Sequence, residues 1–260
     1  MIHKTSIVHK KAKISKNVSI GPYSILDSEV EIDENTNIMS NVIITGKTKI
    51  GKNNIIYPFA SIGSNPQDLK FNGEKTELII GDNNIIREYV TINPGTLHGG
   101  GKTIIGNNCL LMISSHVAHD CKIGNNVILA NNVPIGGHAV IEDHVIIGGN
   151  SAVQQFTRIG KMAMIGGMTG VLNDVIPYGL SIGNRNFLHG LNLIGMRRQK
   201  IKNRDILVLS EAYKQIFKNK DLSNNLNGLS NDLKKNSLVK EVMKFIEIDK
   251  KRPICTPYIR

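Results

Sequence analysis

Isoleucine, leucine or valine recurs at every sixth position from Ile2 to Ile62: Ile2, Val8, Ile14, Ile20, Leu26, Ile32, Ile38, Ile44, Ile50, Ile56 and Ile62. The pattern returns at Ile80, Ile86 and Ile92, then runs in a shifted phase from Ile105 through Leu111, Val117 and Ile123 to Val171. A helix repeats near 3.6 residues and a half-buried strand at 2, so a period of six predicts a short strand and a corner, repeated. Four residues after each apolar position sits something small or β-branched, such as Ser24, Ala60, Cys109, Cys121, Ala139 or Ser151. A large residue pointing inward beside a small one at the bend is the signature of a solenoid core.

Three hexads make a triangular coil of eighteen residues. Coils stack at the interstrand spacing of roughly 4.8 Å, with backbone hydrogen bonds running from coil to coil. Eleven, three and twelve hexads give twenty-six in all, nearly nine coils, and a prism on the order of 40 Å tall at that rise. The predicted fold is therefore all-β with an α tail: a parallel β-helix over 1–184 and a small helical domain over 185–260. Helical spacing carries the second assignment, in Ile206, Leu209, Tyr213, Ile216, Phe217 and again in Leu238, Val242, Phe245, Ile246.

Two segments leave the repeat, near 64–79 and 93–104. In the first the phase is kept, but Asp68 and Glu74 occupy hexad positions that cannot face an apolar core unpaired. The second is thirteen residues from Ile92 to Ile105 and contains His98-Gly99-Gly100-Gly101. Loops on a rigid scaffold are where function concentrates. The glycines lack the Lys-Ser/Thr and helix of a phosphate loop.

Composition narrows the class without deciding the chemistry. The chain has 260 residues, 40% apolar and 5% aromatic with no Trp, which suits a narrow solenoid. Three cysteines make no disulfide framework, the hexads begin at Ile2 without an apolar leader, and no stretch approaches a membrane span. A cytoplasmic protein is expected, with no nucleic-acid partner. Of the net charge of +11, the segment from Arg185 onward carries +10, seventeen Lys and Arg against seven Asp and Glu. A basic tail of this kind suits an acidic partner.

Candidate chemistry lies in a band of histidines, His116, His119, His138 and His144. Counting by eighteen stacks His119, Gly137 and Gln155 on one edge and puts Asp120 below His138. Histidine is suited to general-base work near neutral pH. A zinc site is the alternative, although the only close pair is His116 with His119 and no cysteine shares the column.

Several of these segments together resemble the UDP-N-acetylglucosamine O-acyltransferases: Asn65-Pro66-Gln67-Asp68-Leu69-Lys70, His98-Gly99-Gly100-Gly101, Ser115-His116-Val117-Ala118-His119-Asp120-Cys121, Gly136-Gly137-His138 and Gln154-Gln155-Phe156. The resemblance covers essentially the whole chain. It implies a homotrimer of left-handed β-helices that moves a 3-hydroxyacyl group from acyl carrier protein to the sugar 3-hydroxyl of UDP-N-acetylglucosamine, at the start of lipid A synthesis. By the resemblance, His119 is the general base, Asp120 orients it, and the Gly137 N–H is the oxyanion donor. Asp68, Lys70, His116, His138, Gln154 and Gln155 contact substrate, Asn192 and Arg198 face the diphosphate and uridine, and Gly167 sets acyl length. No metal and no resident cofactor are implied, the donor being a phosphopantetheine thioester on its carrier. The chain departs from the family pattern at Gln154 and Asn93, where His is common, and at Ile194 and Gln199, where Glu and Arg are.

Overall fold

The computed structural model describes residues 1–248 and 251–258. Two-residue strands recur around a triangular prism in three parallel sheets. Face one runs from Ile7–Val8 to Gly170–Val171 in nine strands, face two from Lys13–Ile14 to Arg158–Ile159 in eight. Face three starts at Ser19–Ile20 and ends in Met164–Ile165, Gly179–Ile182 and Phe187–Leu191. Register between coils is eighteen residues, as in Ile7↔Ile25 or Lys122↔Val140, so the counting that stacked His119, Gly137 and Gln155 holds.

Each hexad solves the same local problem. The second residue of each strand points inward, and from Ile20 to Val171 these side chains are almost fully buried. At the bend a second small residue is buried beside it: Ser24, Ala60, Cys109, Cys121, Ala139, Ser151 and Ala163. Turning the corner in so few residues puts one position in the left-handed region, filled most often by asparagine, as at Asn17, Asn35, Asn53, Asn126 and Asn150. Asparagine tolerates that conformation better than most residues with a Cβ. Across face two, cross-strand charges add to the ladder: Glu77 lies between Lys47 and Lys102, bridging the second at 3.0 Å.

Both breaks in the hexad pattern open at one corner, where the chain passes from face one to face two. The first leaves after Ser61–Ile62 and returns at Glu77–Ile80; the second leaves after Thr91–Ile92 and returns at Lys102–Ile105, with a short 3-10 turn at Leu97–Gly99. The next coil up carries His119 at that corner, between His116–Val117 and Lys122–Ile123. The scaffold thus builds a wall of loops directly beneath the histidine.

Past the last coil the structure adds an element absent from the expected order. Gly179–Ile182 and Phe187–Leu191 form an antiparallel hairpin, and the expected domain boundary at 184/185 falls in its turn. An alternation of buried and exposed residues in so short a stretch is swamped in the sequence by the end of the hexads. Five helices follow: α1 (Leu193–Arg198), α2 (Asn203–Ile216), α3 (Leu222–Asn227), α4 (Asn231–Lys235) and α5 (Ser237–Glu247). Asn192, Asp221, Ser230 and Asn236 cap four of them through side-chain oxygens, and Ile206, Leu209, Val242 and Phe245 bury the apolar stripes. Helix α5 is tied to the solenoid by Glu241, which accepts the Tyr178 hydroxyl and pairs with Lys161. No described helix is long and apolar enough to cross a membrane.

Candidate active site

The corner beneath and around His119 is a stack of three tiers: His119 with Asp120, then Gly137 with His138, then Gln155 with Phe156. Backbone bonds from His138 N–H to His119 C=O and from Phe156 N–H to Gly137 C=O fix their spacing at 3.0 and 2.9 Å. The left-handed position of these tiers holds Asp120, His138 and Phe156 in place of the usual asparagine.

Asp120 is the anchor. Its side chain is fully buried, and it accepts from the Thr96 N–H at 2.9 Å, the Thr96 hydroxyl at 2.7 Å and His119 Nδ1 at 2.8 Å. Its own N–H donates to the Thr103 hydroxyl at 2.8 Å. Thr96 belongs to the thirteen-residue step from Ile92 to Ile105, and the reason for Gly99 is visible here: a Cβ on it would lie 1.9 Å from the Asp120 carboxyl carbon. The insertion is a clamp on this one carboxylate. A carboxylate can only accept, so His119 carries its proton on Nδ1 and leaves the Nε2 lone pair free.

That lone pair sits over Gly137. A Cβ there would meet His119 Nε2 and Cε1 at 2.7 Å, so only glycine leaves the ring its place. The Gly137 N–H has no acceptor among the described residues. A base nitrogen and an open amide donor therefore stand one coil apart, the pairing that acyl transfer requires of an attacking oxygen and a developing oxyanion.

Around this pair, His138 stacks on Phe156 at 4.4 Å between centroids, meets His119 edge-on at 5.0 Å, and holds Nδ1 3.9 Å from Asp120 Oδ2. Burial holds His138 below the usual histidine range; Asp120 opposes that shift, while His119 and Lys251 add to it. His116 faces outward on face one above Thr91, whose hydroxyl is 2.7 Å from its Nδ1, and burial lowers it too. Asp68 and Lys70 lie on the first excursion, where Asp68 caps the Lys70 N–H at 3.0 Å and is close enough to act on His138. Asn93 stitches that loop down by donating to the Ser64 and Asn65 carbonyls at 2.9 and 3.3 Å. Gln154 and Gln155 form the third tier.

A metal does not suit this constellation. His119, Asp120 and His138 bring donor atoms within 4.8 Å of one another. Asp120 Oδ2, however, already accepts from both His119 and Thr96, and His119 Nδ1 is a donor in that bond. A cation would have to break the network that buries the carboxylate.

The structure separates the remaining candidates from this corner. His144, grouped with the other histidines in the sequence, turns from face two to face three, a corner away. There it lines a groove of about 730 Å³ with Met162, Met164, Leu180, Asn192 and Arg198. Both ends of the Asn192 amide are engaged, accepting from the Gly195 N–H at 3.0 Å and donating to the Met162 carbonyl at 2.9 Å, so it caps α1 as well as lining the groove. Gly167 lies at the third corner, stacked on Gly149, where a Cβ would meet the Gly149 carbonyl closely at 3.3 Å. The residues that the sequence left unassigned are those gripping the site from outside the hexads: Thr96, Gly99 and Thr103 on Asp120, and Lys251 and Arg252 on the third tier.

Comparison with known proteins agrees with this geometry across the whole chain. Residues 174–255 match the family model described as Udp N-acetylglucosamine O-acyltransferase, domain 2, and residues 102–137 that of the bacterial transferase hexapeptide. The chain is 48% identical over 255 residues to the acyl-[acyl-carrier-protein]–UDP-N-acetylglucosamine O-acyltransferase of Rickettsia canadensis, covering 98% of this chain and 97% of that one. It belongs to the UDP-N-acetylglucosamine O-acyltransferase family. The counterpart in Thermodesulfovibrio yellowstonii is 45% identical over 98% of both chains. A crystal structure of a UDP-N-acetylglucosamine acyltransferase superposes with a TM-score of 0.95 at 43% identity over the full length of both chains, and that from Campylobacter jejuni with 0.92 at 35%. The family is one of acyltransferases, and its fold is the left-handed parallel β-helix with a small helical domain. Ile194 and Gln199 line the groove beside Asn192 and Arg198, and Gln154 immediately precedes the third tier.

Proposed function

We propose that the protein transfers a 3-hydroxyacyl group from acyl carrier protein to the 3-hydroxyl of UDP-N-acetylglucosamine, the first step of lipid A biosynthesis. The observation that carries this reading is the free Nε2 of His119, held over Gly137 by the buried Asp120. A sugar hydroxyl is a weak nucleophile, and a positioned base typically contributes ~10² to 10⁴-fold. His119 Nε2 takes the hydroxyl proton as the oxygen attacks the thioester carbonyl, and Asp120 stabilises the imidazolium that forms. The Gly137 N–H donates to the oxyanion. Collapse of the tetrahedral intermediate breaks the carbon–sulfur bond, and the proton returns from His119 to the departing thiolate. The acyl group and its activation both arrive on the carrier, so the reaction asks for no resident cofactor and no metal.

His116, His138, Gln154, Gln155, Asp68 and Lys70 ring the reacting centre and contact the sugar or the acyl chain. Asn192 and Arg198 take the diphosphate and uridine in the groove, where a guanidinium suits phosphate through its bidentate geometry. Those two halves lie on different sides of one prism, and this favours a homotrimer in which the first corner of one copy faces a neighbour. A closed cyclic assembly then supplies the second wall of each cleft. The basic C-terminal domain steers the acidic carrier toward that cleft, an effect on association rate that salt weakens. Such a carrier and a nucleotide sugar are cytoplasmic substrates, and the enzyme works there.

The reading is tested by incubating the purified protein with UDP-N-acetylglucosamine and a panel of 3-hydroxyacyl carrier thioesters. The expected product is the 3-O-acyl nucleotide sugar by mass spectrometry, with one chain length preferred. Turnover of coenzyme A thioesters in place of carrier thioesters would contradict it.

A further inference from the structure

The C-terminal segment after α5 comes back across the solenoid and reaches the catalytic corner. Its course is fixed by the last coil and the hairpin. Asp174 N–H donates to the Pro253 carbonyl at 2.9 Å, Cys255 N–H to the Asp174 carbonyl at 2.8 Å, and Leu188 N–H to the Thr256 carbonyl at 2.9 Å. Ile254 pairs with Asp174 in parallel fashion, and Ile254 and Cys255 are buried. Asp174 is itself held by Arg158, two residues beyond Phe156, through contacts at 2.7 Å to both carboxylate oxygens. The two residues immediately before this stitched stretch therefore have little freedom in where they land.

They land on the third tier. Arg252 Nε donates to the Gln155 carbonyl at 3.0 Å, and Lys251 Nζ lies 4.7 Å from the centroid of Phe156. Phe156 is the ring on which His138 stacks, nearly parallel at 6°. We propose that Lys251 and Arg252 are positioning residues of the acyl-transfer site, through which the C-terminal return holds the Phe156 and His138 stack against the His119 tier. The inference rests on the functional reading above for its catalytic meaning, but the contact itself is independent of it.

Two effects follow from one lysine. An ammonium over an aromatic face is attracted to the ring quadrupole, which keeps Phe156 turned toward His138. The same charge disfavours a second cation on the stacked imidazole. The groups facing His138 are Asp120 from the tier below, His119 beside it, Asp68 on the excursion loop and Lys251 on the return; both acids favour the imidazolium, while His119 and Lys251 oppose it. Lys251 thus adds to burial, the larger cause, in keeping His138 neutral and able to accept from a sugar hydroxyl.

The test uses the full-length protein and the ring signals of its histidines in a pH titration followed by NMR, His138 being assigned by the signal lost in His138→Gln. Lys251→Gln should raise the His138 midpoint by about 0.3 to 0.5 pH unit, the size expected on removing one nearby charge from a solvated site. Lys251→Arg should restore the parent value. In steady-state kinetics Lys251→Gln should raise KM for the nucleotide sugar about three- to tenfold with kcat within about twofold, at an unchanged melting temperature. A His138 midpoint that does not move in Lys251→Gln would overturn the proposal. Failure of the parent to acylate the nucleotide sugar would count against the functional reading alone, because the titration still decides whether Lys251 acts on His138.

Discussion

Two corners of the same prism, built from the same coils by the same backbone, have opposite characters. At the corner between faces two and three, the amide that the turn leaves loose is claimed in four successive coils by a side chain of the coil above. Lys52 N–H donates to Asp82, Asp82 N–H to Asn107, Asn107 N–H to Asn125 and Asn125 N–H to Asp143, all at 2.7 to 2.9 Å. At the corner between faces one and two the register-equivalent residues are His119, Gly137 and Gln155. Gly137 has no side chain to give and its N–H stays open, while the ring of His119 occupies the space a Cβ would fill. A solenoid corner closes on itself wherever an Asx residue recurs at the equivalent position of successive coils. It becomes a site where that ladder is interrupted by a glycine and a base.

The largest expected effect breaks the comparison at its centre. As the proposed base, whose part is played in the transition state and whose ring lies outside the core, His119 on replacement by Ala should lower kcat by on the order of 10² to 10⁴ with the fold intact. Asn125→Ala, its counterpart on the other corner, should leave kcat unchanged and cost about 1 to 2 kcal/mol of stability, because its side chain accepts from the Asn107 N–H and amide and donates to Asp143 in a partly exposed ladder. Circular dichroism melts beside steady-state rates check both together. Next comes Gly137→Ala, whose methyl would lie 2.7 Å from the His119 ring. It should reduce kcat by about 10² to 10³ through a displaced base and a blocked oxyanion donor, with a smaller change in KM.

A third substitution sharpens the comparison at the remaining corner. Gly167→Met should shorten the preferred acyl chain while leaving KM for the nucleotide sugar nearly unchanged, since the added side chain sits at the third corner, away from the reacting centre. Competition between two carrier thioesters of different length reads this directly. An unaltered preference would remove Gly167 from the account.

The smallest effect concerns stability alone. Glu77, hydrogen-bonded by Lys47 and then Lys102, has its carboxyl lowered from the ordinary 4.5 to about 2. A folded-state value below the unfolded one means the stabilisation is present above the unfolded value and lost as pH falls from about 4.5 toward 2. Glu77→Gln should therefore melt slightly lower than the parent at pH 7, and the gap should close as the pH is taken below 4. A gap that persists at low pH would mean the charge ladder is not its source.

Much of this was legible in the sequence because the fold repeats one demand. Every hexad needs a large apolar residue inward and a small one at the bend, so Ile2 through Val171 announce the prism, and eighteen-residue counting stacks His119 on Gly137 and Gln155. Grouping the histidines by nearness in sequence misled where corner identity mattered. His144 is close to His138 in sequence but lies six residues on, one full corner away, and lines the Asn192 groove instead. Contacts that follow no period were invisible: Thr96 on Asp120 spans an insertion of irregular length, and Arg252 reaches Gln155 across 97 residues. The hairpin at 179–191 was hidden for a related reason, its strands being short and lying between two strong patterns, hexads before and helical stripes after.

As proposed above, the base of this corner is His119, with its proton on Nδ1 and a lone pair on Nε2. The most direct measurement is the pH dependence of kcat/KM for the parent and for His119→Ala, with saturating carrier thioester and limiting nucleotide sugar. The account predicts that the parent's rate rises with pH through a single ionisation of an imidazole, as the protonated base becomes competent, and that His119→Ala shows a residual rate with this ascending limb gone. An ascending limb that persists unchanged in His119→Ala, or near-parental turnover in that variant, would contradict it.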